Sequence, residues 1–190
     1  RDSGAAQISM SSNGFIDAGG VAITMQNTNS AGGDILLTEI NAKNASTITN
    51  QSGNVMLNGE FATNGAAVSI SATGTNKDIV INQPLKTDVE NNTANAGAIT
   101  LNAANNIALN APISANVFNN QTGINAGNGG AISLTAGNSI NGANGQISSK
   151  VNQYSTGTTG TAGNVTLNAT AGAIAINKID AGSYKNDELL

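Results

Sequence analysis

Cysteine, histidine and tryptophan are missing from this 190-residue chain, and its aromatics amount to three Phe and two Tyr. Without cysteine there is no disulfide framework and no thiolate nucleophile. Without cysteine and histidine the usual donor sets for zinc, copper and haem cannot be assembled. So few aromatics leave a conventional layered domain short of core volume. Charge is also scarce: 9% of residues are charged and the formal net charge is −4. The seven basic residues are scattered from Arg1 to Lys185 and form no stripe, which argues against nucleic-acid binding. No apolar run approaches the length of a membrane span, and Arg1-Asp2-Ser3 does not open a signal peptide. Disordered chains pair low hydrophobicity with high net charge, whereas 39% of this chain is hydrophobic and its charge is small.

What the chain does contain is a repeat. Gly97-Ala98-Ile99-Thr100-Leu101-Asn102-Ala103 returns as Gly130-Ala131-Ile132-Ser133-Leu134-Thr135-Ala136. At the same interval it returns again as Gly163-Asn164-Val165-Thr166-Leu167-Asn168-Ala169. Earlier copies lie at Val68 and Ile70, and at Ile35 and Leu37. The aliphatics alternate with Thr or Ser, which places them on one face of a strand; no window sustains helical spacing. Each copy is followed by two weaker relatives, such as Ile107 and Leu109 and then Ile113 behind Pro112. A single such strand has nothing to bury its apolar face against. Stacking one period on the next pairs equivalent strands and closes an aliphatic interior, the logic of a solenoid.

The expected fold is therefore all-β: a right-handed parallel β-helix of about six rungs, three short strands each, with a period of about 33 residues. First strands are expected near Ile8, Ile35, Val68, Ile99, Ile132 and Val165. Six rungs at roughly 4.8 Å would stand about 30 Å tall. The remainders at residues 89–96, 117–129 and 151–162, rich in Asn, Thr, Gly and Gln, read as surface loops that leave and rejoin at one corner. Residues 1–190 are expected to form one β-helix fragment of a longer solenoid. Within it, 1–64 are irregular rungs, 65–182 regular rungs and 183–190 a truncated loop. Gly53-Asn54-Val55-Met56-Leu57-Asn58 is itself a good copy of the unit, so a change of phase or an extra hairpin is expected nearby.

Three units carry a resemblance: Gly-Ala-Ile-Thr-Leu-Asn-Ala (97–103), Asn-Asn-Ile-Ala-Leu-Asn-Ala-Pro-Ile-Ser-Ala (105–115) and Gly-Asn-Gly-Gly-Ala-Ile-Ser-Leu-Thr-Ala-Gly-Asn-Ser-Ile (127–140). They resemble the repeats of filamentous-haemagglutinin-like exoproteins, the secreted partners of bacterial two-partner secretion systems. The resemblance spans roughly residues 30–182. It implies a right-handed β-helix, export through an outer-membrane barrel transporter, and an extracellular or cell-surface location. It also implies adhesion to host or neighbouring cells, with glycans among the candidate partners, aggregation or biofilm formation.

Candidate chemistry is sparse, and no catalytic, cofactor or metal residue is expected. Gly32-Gly33-Asp34 lacks the continuing spacing of a calcium-binding repeat, so a solvated Asp at a rung corner is expected. Glycoside hydrolysis needs paired carboxylates. Asp78 with Asp88, or Glu60 with Asp88, are the pairs to consider, and a cleft-lining acid cluster with a Lys would favour an enzyme. Gly127-Asn128-Gly129-Gly130 precedes a strand rather than a helix and has no following Lys, so it reads as a loop tolerating positive φ, not a nucleotide site. Phe118, Tyr154 and Tyr184 form either a sugar-stacking strip or pins that hold loops to the coil. Asn-x-Ser/Thr sequons occur at Asn44, Asn50, Asn91, Asn120, Asn164 and Asn168. The outward column of Thr100, Ser133 and Thr166 suggests an ice-binding face, interrupted by Ser69 and Leu36. The leading expectation is a structural and adhesive module. A carbohydrate-binding or polysaccharide-cleaving β-helix is the alternative, and an ice-binding solenoid the next.

Overall fold

The computed structural model describes residues 8–11, 13–91, 93–186 and 188–190. Arg1-Asp2-Ser3 therefore lies outside the described residues, as does Asn92 within the sequon at Asn91. All regular structure among the described residues is β strand, in three parallel sheets that wrap into a β-helix.

Wall 1 stacks β3 (Thr24–Asn27), β6 (Ser46–Asn50), β9 (Val68–Ala72), β13 (Ile99–Ala103), β17 (Ile132–Ala136) and β20 (Val165–Ala169). Wall 2 has two halves. The first holds β1 (Ile8–Ser9), β4 (Ile35–Leu37), β7 (Val55–Leu57), β10 (Ile79–Ile81) and β14 (Ile107–Leu109). The second holds β2 (Phe15–Asp17), β5 (Glu39–Ala42), β8 (Phe61–Thr63), β11 (Leu85–Lys86) and β15 (Ile113–Ser114). β18 (Ile140–Ser148) and β21 (Ile174–Asp180) each run through both halves, their register shifting between Gly142 and Gln146. Wall 3 stacks β12 (Val89–Glu90), β16 (Val117–Asn119), β19 (Val151–Gln153) and β22 (Ser183–Lys185).

The alternating aliphatics enter one interior. Ile99 and Leu101 stack in register between Val68 and Ile70 below and Ile132 and Leu134 above, and all six are at most 1% exposed. Phe61 is the largest fully buried side chain, stacked between Ile40 and Leu85. Burial of each such side chain is worth about 1.5–3 kcal/mol, which lets aliphatics alone supply the core. In the last described turn the column is less covered, and Ile174 and Ile179 are 46% and 48% exposed.

Three expectations change. The two weaker strands of each repeat are halves of one wall. The third wall lies in segments read as loops, where Val89, Val117 and Val151 are buried. Their signal was weak because strands of two or three residues carry a single Val and no alternation.

The second change concerns phase. Val68 pairs with Ser46, not with an equivalent one full repeat earlier, while Ile35 pairs with Ile8 and Val55 in wall 2. The early turns lack wall 3 and its loop. They therefore advance by less than a full repeat on wall 1, from Thr24 to Thr47 and from Ser46 to Val68, through parallel pairing and no hairpin. The longer, constant period holds from Ile99 through Ile132 to Val165. Third, residues 183–190 carry strand, β22 pairing parallel with β19 and antiparallel with β23 (Glu188–Leu189).

Candidate functional site

The corners of the helix are closed by side chains that reach the next turn. Asp34 Oδ1 accepts the Asn54 N–H at 2.7 Å, and Asn54 Oδ1 accepts that of Asp78 at 2.9 Å. Asp78 Oδ1 then takes the Asn106 N–H (2.9 Å), Asn106 Oδ1 that of Ser139 (3.2 Å), and Ser139 Oγ that of Ala173 (3.2 Å). Each member precedes a wall 2 strand. At the wall 2–wall 3 corner, Asp88 Oδ1 accepts the Asn116 N–H (2.6 Å) and Asn116 Oδ1 that of Lys150 (2.9 Å). The loops after wall 3 are laddered likewise, through Asn95 to the Asn128 N–H and Asn128 to the Thr161 N–H, both at 2.8 Å. Asp34 is thus a corner acceptor facing the next turn.

The acids considered for catalysis fall differently. Asp78 and Asp88 stand at opposite corners of wall 2. Glu60, Lys86, Asp88 and Glu90 gather at the step where wall 3 begins. A depression of about 500 Å³ lies there, lined by Lys86, Asp88 and Glu90 with Asn41, Thr63 and Asn64. Lys86 Nζ is 2.7 Å from Glu60 Oε2 in an exposed ion pair. Both Asp88 oxygens are engaged, Oδ2 by the Ser114 hydroxyl at 2.8 Å and Oδ1 by the Asn116 amide. Burial raises its pKa above the ordinary 3.8, with the two hydrogen bonds working the other way. Among the described residues no group of three or more acids is placed to hold a metal.

Glycines 127 and 130 do not take positive φ. They are glycine because a Cβ would come within 2.0 Å of the Ala94 carbonyl and 2.1 Å of the Gly97 carbonyl one turn below. Of the sequon asparagines, Asn50 is fully buried, its Nδ2 donating to the Gly33 and Asn54 carbonyls and its Oδ1 accepting from Ser52 and Gly53. Asn44, Asn91, Asn120, Asn164 and Asn168 are exposed.

The outward face of wall 1 is more regular than its sequence suggested. Leu36 is not part of it, since it pairs with Met56 in wall 2. One register column reads Thr24, Thr47, Ser69, Thr100, Ser133, Thr166, and its neighbour reads Gln26, Thr49, Ser71, Asn102, Thr135, Asn168. No charged residue enters either column.

Phe118, Tyr154 and Tyr184 lie at wall 3. Phe118, Asn152 and Tyr184 occupy one register column on successive turns. Asn152 Nδ2 hydrogen-bonds Tyr154 Oη, and the Tyr184 hydroxyl donates to Asp180 Oδ1 at 2.8 Å. That bond raises the Tyr184 pKa above 10.0. Lys150 Nζ lies 4.0 Å from Asp180 Oδ2 and 5.6 Å from the Phe118 ring centroid. The signal for this grouping was the recurrence of an aromatic a few positions after the last wall 2 Ile of a turn. Comparison of the chain with family models, with curated proteins and with solved structures found no match.

Proposed function

We propose that this chain is a structural and adhesive segment of a secreted bacterial exoprotein of the filamentous-haemagglutinin-like kind. On this reading it is exported through an outer-membrane barrel transporter and stands at the cell surface as a rod. The observation that supports it most is the order of the loops. Residues 121–131 and 154–164 follow each other 33 residues apart and are bonded through Thr122 to Ser155, Asn125 to Thr158 and Asn128 to Thr161. The ladder sets polar groups of successive loops at the rung spacing and so offers a receptor several weak contacts that add through multivalency.

The test is binding of beads coated with the purified chain to cultured epithelial cells and to bacteria. Saturable binding is expected. Asn120→Ala with Gln121→Ala, which removes two exposed side chains and leaves the backbone ladder in place, is expected to reduce it several-fold. Absence of binding to either cell type, or full binding by the double variant, overturns the reading.

A second reading is favoured by wall 1. Two uninterrupted, uncharged columns of mostly hydroxyl side chains are the kind of surface that can order water as ice does. Thermal hysteresis, lost in Thr100→Lys and kept in Lys86→Thr, is the expected result, and no hysteresis at millimolar protein removes this reading.

A further inference from the structure

Asn152 poses a question that its surroundings do not answer. The residue is 5% exposed, and its Oδ1 has no hydrogen-bond partner. Its Nδ2 meets the Tyr154 hydroxyl, a group able to donate as well as accept. Turning the amide over would therefore exchange the roles and leave Nδ2 unpartnered instead. In either orientation one polar atom of a buried amide is unsatisfied, which is unfavourable unless a partner arrives from outside.

Asn152 is one of four residues, with Lys150, Asp180 and Tyr184, that line a depression of about 160 Å³. The depression holds one cation and one carboxylate, 4.0 Å apart, so it is close to neutral and selects for neither sign. Asp180 Oδ1 is taken by Tyr184, while Oδ2 has only the long Lys150 contact. One aromatic, Tyr184, lines the depression; two more stand behind its lining, Phe118 against Lys150 and Tyr154, 41% exposed, against Asn152. What fits is a small neutral molecule with an apolar face to lie on a ring, and with several hydroxyls that can each donate or accept. Those are the properties of a sugar ring. A peptide segment offers fewer hydroxyls, and an inorganic anion has no apolar face to lie on the ring.

We propose that the wall 3 depression is a subsite for one neutral saccharide ring, with a sugar hydroxyl completing the Asn152 amide. A second hydroxyl lies between Asp180 Oδ2 and Lys150 Nζ, and the apolar face of the ring packs on Tyr184. This deepens the adhesive reading by naming a ligand class and rests on it. Its test is made in solution with free sugars, so it can fail while cell binding stands.

The chain has two tyrosines and no tryptophan. Tyr184 lines the depression and Tyr154 is hydrogen-bonded to Asn152, so tyrosine emission reports on the depression and its border. The experiment titrates the purified chain with the methyl glycosides of glucose, galactose, mannose and N-acetylglucosamine, and separately with inorganic phosphate. At least one glycoside is expected to change the emission saturably at millimolar concentration. Asn152→Ala is expected to weaken that binding about tenfold, the loss that follows removal of one hydrogen bond at a buried group. Tyr184→Phe keeps the ring and the fold, so it should bind with a smaller loss, monitored through Tyr154. Circular dichroism checks the fold of each variant, and if Asn152→Ala does not fold, Lys150→Met with the same titration takes its place. No saturable change with any of the four glycosides, a response to phosphate alone, or unchanged binding by a folded Asn152→Ala or Lys150→Met chain overturns the proposal.

Discussion

An asparagine at a corner of this helix ties one turn to the next, because its side-chain oxygen occupies the point where the next turn presents a backbone N–H. Asp, Asn and Ser all fill the role at the corner before wall 2, since each carries an oxygen acceptor on a short stem. Asn106→Leu removes that acceptor and leaves the Ser139 N–H without it. The expected cost is about 1 kcal/mol, read as a lower urea midpoint with an unchanged slope. Asp88 makes the same bond as Asn116 one turn on, but with a charge that burial disfavours. Its raised pKa means the folded chain holds the proton more tightly than the unfolded chain. Stability attributable to this group is therefore greatest below the ordinary value of 3.8 and falls as pH rises through the raised folded value. Asp88→Asn should accordingly raise the melting temperature at pH 7 by ~1–3 °C, with the gain vanishing below pH 3.8. A variant that is less stable at pH 7 would show that the carboxylate itself is needed.

At the scale of the strand, direction decides tolerance. In β17 the buried Leu134 stacks between Leu101 and Leu167, while Ser133 faces outward in the wall 1 column. Leu134→Asp places an unpaired charge in the aliphatic column and should unfold the chain or drive it to aggregate. Ser133→Asp should fold with a melting temperature near that of the parent. Equal sensitivity of the two would place the inward face wrongly. The long strand β18 shows how two halves of a wall can merge. Gly142 takes the inward place above Leu109, and a Cβ on Gly145 would stand 2.6 Å from Leu109 Cβ and 2.7 Å from its carbonyl oxygen.

The whole molecule is a stack whose turns differ in length, and that difference predicts which deletions it survives. Removing residues 46–67 takes out one short turn and joins Ala45 to Val68, which already pairs one turn above Ser46. The shortened chain should fold cooperatively at a somewhat lower melting temperature, because each turn touches only its neighbours. Removing residues 35–67 excises the length of one full later repeat but joins the wall 1–wall 2 corner at Asp34 to a wall 1 strand, putting every later wall out of place. Circular dichroism and thermal unfolding should show the longer deletion losing its transition. Removal of residues 98–130, one full turn in the regular region, should again be tolerated. If the 35–67 deletion is the more stable of the first two, the turn lengths assigned to the early stack are wrong.

Alternation of Ile, Leu and Val with Thr and Ser determined the class of fold and the inward face of most strands, because period-2 burial is a local property of the backbone. Repetition at a constant interval likewise determined the register of β13, β17 and β20. What the tertiary structure decided depends on partners separated by varying distances. The corner ladder links residues 20, 24, 28, 33 and 34 positions apart, so no fixed period announces it and its asparagines look like loop composition. Wall 3 was not legible because a two-residue strand carries too little pattern, and its absence from the early turns moved Ile35 out of the column that its spacing assigned it with Val68. The grouping of Phe118, Asn152, Tyr154 and Tyr184 was decided in the same way. Phe118, Asn152 and Tyr184 meet across successive turns, and the length of a turn is set only when the walls close around the core.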